Sequence, residues 1–152
     1  MSLSIGQKAP SFSLQNAQNE TVTLEQFKGK WVVLYFYPKD DTPGCTRQAV
    51  GFSEHLAEFS AKNAVVLGVS KDSVASHEAF CTKYALTILL LSDPNKTCIN
   101  DYGVWQEKTT YGKTAFGVVR STFLIDPEGI LTKIWSNIKV DGHVQAVLAE
   151  LH

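Results

Sequence analysis

Residues 31–45 have the sequence WVVLYFYPKDDTPGC, and this stretch decides the fold. The first seven residues are aliphatic or aromatic, with no polar alternation apart from two tyrosine hydroxyls, which is typical of a central strand covered on both faces. The next seven, PKDDTPG, predict a turn-rich loop. From residue 45 to residue 63, apolar side chains recur at helical spacing, at Ala49, Phe52, Leu56 and Phe59. The stretch therefore predicts a strand, a loop and a helix, with Cys45 in the first helical turn.

The flanking sequence extends this unit into an alternating pattern. Strands are predicted at residues 65–70, 88–91, 115–125 and 130–135. Helices are predicted to begin at a capping box in residues 22–27, and at residues 73–84, near Cys98 and at 142–151. Polar residues 102–114 predict a surface loop, and the DPEG sequence at 126–129 predicts the tight turn of an antiparallel hairpin. The order βαβα followed by ββα indicates an α/β domain with a mixed sheet.

Composition and charge exclude several classes of function. The 152 residues are 44% hydrophobic and 19% charged, which predicts one folded domain spanning residues 1–152. The net charge of −1 does not provide the positive field that nucleic-acid binding requires. No apolar run approaches the ~18 residues of a membrane span, and residues 1–10 lack the pattern of a secretory signal. We therefore expect neither a nucleic acid nor a membrane as a partner.

The chain has three cysteines, Cys45, Cys81 and Cys98. An odd number this small does not make a disulfide framework in a chain that can bury its own core. We therefore expect reduced thiols and a cytoplasmic protein.

Cys45 is the residue whose surroundings predict chemistry. The free N–H groups and partial positive charge at a helix start stabilise a thiolate, which is the nucleophilic form of cysteine. Thr42, three residues earlier, is placed to fold its hydroxyl toward the sulfur, where it could accept and donate hydrogen bonds. Pro43 has no N–H group and would shield the sulfur from solvent. A buried structural cysteine is the alternative interpretation, which the preceding Pro/Gly loop disfavours.

The pattern Pro38-xxx-Thr42-xx-Cys45 resembles the active-site motif of the peroxiredoxins, in particular the bacterioferritin-comigratory or Q subfamily. The resemblance extends over nearly the whole chain, through GQKAPSF at 6–12, YFYP at 35–38, VLGVS at 66–70, LSD at 91–93, GVW at 103–105 and FLID at 123–126. It implies a thioredoxin-like fold and a thiol peroxidase acting on hydrogen peroxide and organic hydroperoxides. It implies no cofactor and no metal ion.

The resemblance also implies roles for individual residues. Cys45 would be the peroxidatic cysteine, whose thiolate attacks the peroxide and becomes a sulfenic acid. Thr42 and the backbone N–H groups near Gly44 would hold the peroxide oxygens, in a pocket with Pro38 and Pro43. The second active-site residue of the family falls at Arg120, which is costly to bury in an apolar strand without a partner such as a thiolate.

The sequence offers two candidates for the resolving thiol, which is the thiol that forms a disulfide with the Cys45 sulfenic acid. Some members of the subfamily have a resolving cysteine five residues after the peroxidatic one, and Val50 occupies that position here. The subgroup with a resolving cysteine in the next helix matches Cys81, which we favour, and Cys98 then remains a packed free thiol. A disulfide needs Cα atoms closer than ~7 Å, and two cysteines in separate helices need not meet that condition. We therefore expect the helices at Cys45 and Cys81 to unwind locally. Thioredoxin is the implied reductant of this disulfide.

Alternatives remain at this stage. Cys45 could work alone and be recycled by glutaredoxin or a small thiol, or the chain could be a non-enzymatic redox sensor on a thioredoxin fold. His77 lies four residues before Cys81 on one helical face, a spacing that suits two metal ligands or tuning of the thiol, although packing is the favoured interpretation. An internal disulfide is compatible with the monomer that we expect.

Overall fold

A computed structural model describes residues 3–110 and 112–151. Over those two ranges the strands are β1 Ser13–Asn16, β2 Thr21–Thr23, β3 Trp31–Phe36, β4 Ala64–Ser70, β5 Leu89–Ser92, β6 Trp105–Thr110, β7 Lys113–Val118, β8 Ser121–Ile125 and β9 Leu131–Trp135. The α-helices are α1 Pro43–Glu54, α2 Leu56–Ala61, α3 Val74–Tyr84, α4 Thr97–Asp101 and α5 His143–Ala149. A 3-10 helix spans Leu24–Phe27. None of the helices in the described part of the chain is long and apolar enough to cross a membrane.

Seven of the strands form one mixed sheet in the order β2-β1-β5-β4-β3-β8-β9. The strands β3, β4 and β5 run parallel, because helices α1 and α2 after β3, and helix α3 after β4, return the chain to the end of the sheet where the previous strand began. On the other side of β3, β8 pairs antiparallel with it and β9 pairs antiparallel with β8. The predicted α/β class with a mixed sheet is confirmed, and so is the antiparallel hairpin around residues 126–129.

Strand β3 lies inside the sheet and is covered on both faces. Val32, Leu34 and Phe36 belong to a hydrophobic cluster with α4 and the β1–β2 hairpin. Val33 and Tyr35 belong to a second cluster, with α1, α2, α3 and α5. Burial of both sets of side chains explains why the strand shows no alternation of polar and apolar residues.

The structure corrects the prediction of a surface loop at residues 102–114. Strands β6 and β7 pair antiparallel as a separate two-stranded sheet, whose ends pack on the core through Trp105 and Val118. Tyr111, which falls within this stretch, lies outside the described residues. Beyond its base the hairpin has polar or exposed side chains on both faces, so its sequence lacks the apolar alternation by which strands are recognised.

The predicted single strand at residues 115–125 is also wrong. The chain leaves the small sheet at Val118 and enters the main sheet at Ser121, so Arg120 lies between two strands instead of inside one. Val119 donates its N–H group to Val104, and the carbonyl of Arg120 accepts from the N–H group of Ile138. Apolar residues flank this junction at 118–119 and 123–125, and neither glycine nor proline lies between Val118 and Ser121 to mark the break.

Two helix predictions change in detail. The capping box at residues 22–27 does not form, because the Thr23 side chain makes no cap hydrogen bond and Val22 belongs to β2. The helix predicted at residues 45–63 is interrupted at His55, which separates α1 from α2. The β1–β2 hairpin itself was not predicted from the sequence.

A close approach at Gly68 in β4 yields a stability prediction. A Cβ atom on Gly68 would lie 2.6 Å from Cζ of Tyr35 and 2.9 Å from Cδ2 of Leu90, and both neighbours are fully buried. We expect Gly68→Ala to lower the free energy of unfolding in urea by about 1–3 kcal/mol, because the packed core must shift. Gly117→Ala is the control, since its Cβ would meet only the flexible Lys108 chain at 3.5 Å. Equal unfolding midpoints for the two variants would contradict the expectation.

Candidate active site

Cys45 is the third residue of α1, which follows β3 after the loop at residues 37–42. Thr42 is the N-cap with an extended backbone, and Pro43 begins the helix. Proline suits this position because the missing N–H group has no intrahelical partner in any case. The Cys45 side chain is 1% exposed, and Pro43 is exposed beside it. The thiol therefore lies at the positive end of a twelve-residue helix, as the sequence predicted.

The structure brings Arg120 to the sulfur. Its Nη2 lies 3.3 Å from Sγ of Cys45, and its Nη1 donates to Oε1 of Gln48 at 2.6 Å. A Cβ atom on Gly44 would lie 3.1 Å from the same Nη2, so the absence of a side chain at Gly44 leaves room for the guanidinium. Arg120 thus supplies a fixed positive charge beside the thiol, and a thiolate there would form an ion pair with it.

Gln48 is a site residue that the sequence analysis missed. It is fully buried, and its Nε2 has no hydrogen-bond partner among the described residues. The available signal was its position three residues after Cys45, which places it on the same face of α1. Its carbonyl oxygen orients the guanidinium of Arg120 toward the sulfur.

Thr42 differs from its expected geometry. Its hydroxyl donates to the carbonyl oxygen of Lys39 at 2.8 Å, and the structure shows no hydrogen bond from it to Sγ of Cys45. Because a hydroxyl has one hydrogen, this bond leaves the Thr42 oxygen as an acceptor only. The Thr42 hydroxyl oxygen can therefore accept a hydrogen bond from an incoming O–H group. Pro38 and Gly44 are half-buried in the same loop region.

A buried polar cluster connects the loop before Cys45 to α3. The Asp40 carboxylate accepts from the Tyr37 hydroxyl at 2.6 Å and from the Ser76 hydroxyl at 2.7 Å, and lies 2.7 Å from Nδ1 of His77. Burial tends to raise the pKa of Asp40, but hydrogen bonds from His77 and Tyr37 outweigh it and hold the pKa below its usual value. The other ring nitrogen of His77 lies 2.9 Å from the carbonyl oxygen of Leu91. Both nitrogens of His77 therefore face acceptor oxygens, which leaves neither for a metal ion.

The three cysteines are free thiols, and the sheet separates them into two groups. Cys45 belongs to the cluster on the helix-rich face, and half-buried Cys81 packs against that same cluster. Cys98 belongs to the cluster on the opposite face. Burial raises the pKa of Cys81, with a contribution from the charge of Asp40. Burial also raises the pKa of Cys98 well above its usual value.

The β6–β7 hairpin adds a basic side chain that the sequence analysis did not single out. A Cβ atom on Gly117 would lie 3.5 Å from Cδ of Lys108, so the lysine lies over the end of the hairpin nearest Arg120. Burial and the positive charge of Arg120 lower the pKa of Lys108, while the charge of Cys45 acts in the opposite direction. This residue was missed because its segment was predicted as a loop.

Comparison with known proteins gives a consistent set of relatives. A family model described as the AhpC/TSA family matches residues 5–134. A putative peroxiredoxin bcp from Coxiella burnetii is 50% identical over 99% of this chain and 100% of its own length. Peroxiredoxin Bcp from Bacillus subtilis is 46% identical over 99% of this chain and 96% of its own length.

Solved structures agree with these relatives. A Cys-to-Ser mutant of Xylella fastidiosa PrxQ is 39% identical and superposes with a TM-score of 0.94, covering 99% of this chain and 96% of its own. The bacterioferritin comigratory protein of Xanthomonas campestris, whose alkyl peroxide reduction activity has been studied structurally, is 43% identical with a TM-score of 0.88. That match covers 92% of this chain and 89% of the Xanthomonas chain.

His143, a buried residue at the start of α5, predicts a pH dependence of stability. Burial and the charge of Arg120 lower its pKa to about 4, and its Nε2 lies 2.9 Å from the Thr122 hydroxyl. Because the unfolded chain binds a proton near pH 6.5 and the folded chain does not, stability is highest above pH 6.5 and falls as the pH drops toward 4. Between pH 7 and 4.5 we expect the protein to lose about 2 kcal/mol more unfolding free energy than His143→Gln does. Parallel urea-unfolding pH profiles for the two proteins would contradict this assignment.

Proposed function

The chain belongs to the AhpC/TSA family and, within it, to the peroxiredoxins of the Bcp or Q type, and from this we propose that Cys45 is its peroxidatic cysteine and Cys81 its resolving cysteine. The protein has the thioredoxin-like fold of these peroxiredoxins and is a thiol peroxidase. The observation that supports the residue assignment best is the 3.3 Å contact between Nη2 of Arg120 and Sγ of Cys45 at the start of α1. A helix terminus and a guanidinium meeting at one sulfur are the conditions that favour a reactive thiolate.

The first step is attack of the Cys45 thiolate on the terminal oxygen of a hydroperoxide. A sulfur–oxygen bond forms, the oxygen–oxygen bond breaks, and the leaving oxygen takes a proton to become water or an alcohol. The sulfur is oxidised by two electrons to a sulfenic acid, and the peroxide is reduced by two electrons. Arg120 is placed to keep the thiolate ionised and to stabilise the charge that moves onto the oxygens in the transition state.

The loop residues would bind the peroxide in line with the sulfur. The Thr42 hydroxyl, whose hydrogen is engaged by Lys39, is available to accept a hydrogen bond from the peroxide O–H group. The unpaired N–H groups in the first turn of α1, at Gly44 and Cys45, are available to donate to the peroxide oxygens. Pro38 and Pro43 add no donors of their own and would limit the approach of water.

The second step is condensation of the Cys45 sulfenic acid with the Cys81 thiol. A sulfur–sulfur bond forms, the sulfur–oxygen bond breaks, and the hydroxyl leaves as water with the proton of the Cys81 thiol. Cys81 is favoured over Cys98 because it packs on the same face of the sheet as Cys45, whereas the sheet itself separates Cys98 from Cys45. Cys45 and Cys81 lie in separate helices, and we propose that α1, α3 or both unwind locally to bring their Cα atoms within the reach of a disulfide.

The third step is reduction of the Cys45–Cys81 disulfide by an external dithiol. We propose thioredoxin as this reductant. A dithiol reduces a protein disulfide by exchange: one thiolate attacks a sulfur of the disulfide to form a mixed disulfide, and the second thiol of the reductant then displaces the protein thiol. A cycle that depends on such a reductant suits a reducing compartment, so we propose the cytoplasm. The disulfide lies within one chain, and a monomer is therefore sufficient for turnover.

Replacing each cysteine in turn tests the residue assignment. We expect Cys45→Ser to abolish peroxidase activity, and Cys81→Ser to react once with peroxide but lose thioredoxin-coupled turnover. Cys98→Ser is the matched control and should keep both. A peptide map after one equivalent of peroxide should show a disulfide between Cys45 and Cys81. Full thioredoxin-coupled turnover of Cys81→Ser would instead support a single working cysteine, and full activity of Cys45→Ser would refute the mechanism.

The role of Arg120 is tested separately. We expect Arg120→Gln to slow the reaction of Cys45 with hydrogen peroxide by about 100-fold, because a preorganised charge beside the reacting atoms is lost. The measurement is stopped-flow kinetics of the first oxidation. Arg47→Gln is the control, since Arg47 lies on the exposed side of the same helix and pairs with Asp141. Similar rates for the two variants would show that Arg120 does not act on the thiolate.

A further inference from the structure

Two neighbouring aspartates of the catalytic loop hold α3 at two places, and Cys81 lies between those places. Asp40 contacts Ser76 and His77 in the first half of the helix. Asp41 contacts Lys83 and Tyr84 in its last turn. The loop that positions the peroxidatic cysteine is therefore connected directly to both sides of the proposed resolving cysteine.

The Asp40 attachment is buried. Asp40 is 7% exposed and His77 is fully buried, and His77 also contacts the carbonyl oxygen of Leu91 in β5. Breaking this cluster would leave the buried Asp40 carboxylate without its hydrogen-bond partners, which is strongly unfavourable. The first half of α3 is thus firmly attached to the loop and to the sheet.

The Asp41 attachment is exposed. The Asp41 carboxylate accepts from Nζ of Lys83 at 2.8 Å and from the Tyr84 hydroxyl at 2.5 Å. These two hydrogen bonds also hold the pKa of Asp41 below its usual value. Exposed ion pairs are weak, because water competes for both partners and the long side chains lose freedom. The last turn of α3 can therefore separate from the loop far more easily than the first half.

The backbone at this end of α3 is strained as well. Ala85, the residue that ends the helix, has a φ of +51° and a ψ of 45°, a left-handed conformation that is favourable for glycine and unfavourable for alanine. Asp41 itself has a φ of +58°. Unwinding the last turn of α3 would relieve the strain at Ala85, which partly offsets the hydrogen bonds that are lost.

We propose that Asp41, Lys83 and Tyr84 form a releasable clamp that sets how often Cys81 leaves α3 to reach the Cys45 sulfenic acid. They are positioning residues, since the hydrogen bonds of their side chains join them to one another and not to either reacting sulfur atom. The inference rests on the proposed role of Cys81. The Asp40 cluster keeps the first half of the helix in place while the clamp opens, so unwinding is confined to the turn that contains Cys81.

The clamp predicts that weakening it speeds disulfide formation. Tyr84→Phe removes one hydrogen bond to Asp41 but keeps the ring that packs edge-on against Phe80. Lys83→Gln removes the ion pair. In single-turnover experiments we expect either variant to convert the sulfenic acid to the disulfide about two- to fivefold faster, with the rate of the first oxidation unchanged. Lys71→Gln, an exposed lysine before the other end of α3, is the matched control and should behave as the unmodified protein does.

A second variant acts in the opposite direction. Ala85→Gly relieves the left-handed strain in the folded helix, so we expect it to slow disulfide formation about two- to fivefold. Variants that form the disulfide more slowly should accumulate more sulfinic acid on Cys45 in mass spectra, because the sulfenic acid then stays longer in contact with a second peroxide. We expect most sulfinate in Ala85→Gly and least in Tyr84→Phe and Lys83→Gln.

The outcomes separate the clamp from the role of Cys81. If Cys81→Ser still forms a disulfide at Cys45, the proposed role of Cys81 is wrong and the clamp is refuted with it. If the disulfide requires Cys81 but the Tyr84, Lys83 and Ala85 variants resolve at the rate of the Lys71 control, the clamp alone is refuted. Slower resolution in Tyr84→Phe would also overturn it, because a clamp that opens cannot be strengthened by losing a bond.

Discussion

The contact between Arg120 and Cys45 is the interaction on which the site depends. The two residues are 75 positions apart in the chain, and the antiparallel pairing of β3 with β8 brings the segment before β8 beside the start of α1. Gly44 leaves space for the guanidinium, and the buried Gln48 orients it. The attraction between the guanidinium and a thiolate is stronger at this buried position than in water, because little water is present to screen the two charges.

The sheet also determines which thiols can meet. Cys45 and Cys81 share one face, and Cys98 is buried on the other, where burial raises its pKa well above its usual value. A folded sheet is too well packed for a side chain to pass through it. The three cysteines of the sequence therefore divide into a pair on one face and a single buried thiol on the other.

The parts predicted well and the parts predicted badly differ for physical reasons. The apolar run of β3 and the loop–helix unit at Cys45 were predicted because strong local patterns and burial agree there. The β6–β7 hairpin was missed because most of it is polar or exposed on both faces. The break before β8 was missed because neither glycine nor proline lies between Val118 and Ser121 to mark it. The Thr42 hydroxyl points to Lys39 because a nearby backbone carbonyl competes for its single hydrogen.

By itself the sequence determined the α/β class, the strand–loop–helix unit and the motif that identifies Cys45, since each depends on residues that are close together in the chain. Only the tertiary structure decided how distant residues combine: Arg120 with Gln48 at the thiol, Cys81 on the face of Cys45, and Asp40 and Asp41 on either side of Cys81 along α3. These contacts join segments 36 to 75 residues apart. Their geometry follows from how the sheet and helices pack, which local patterns in a single sequence do not specify.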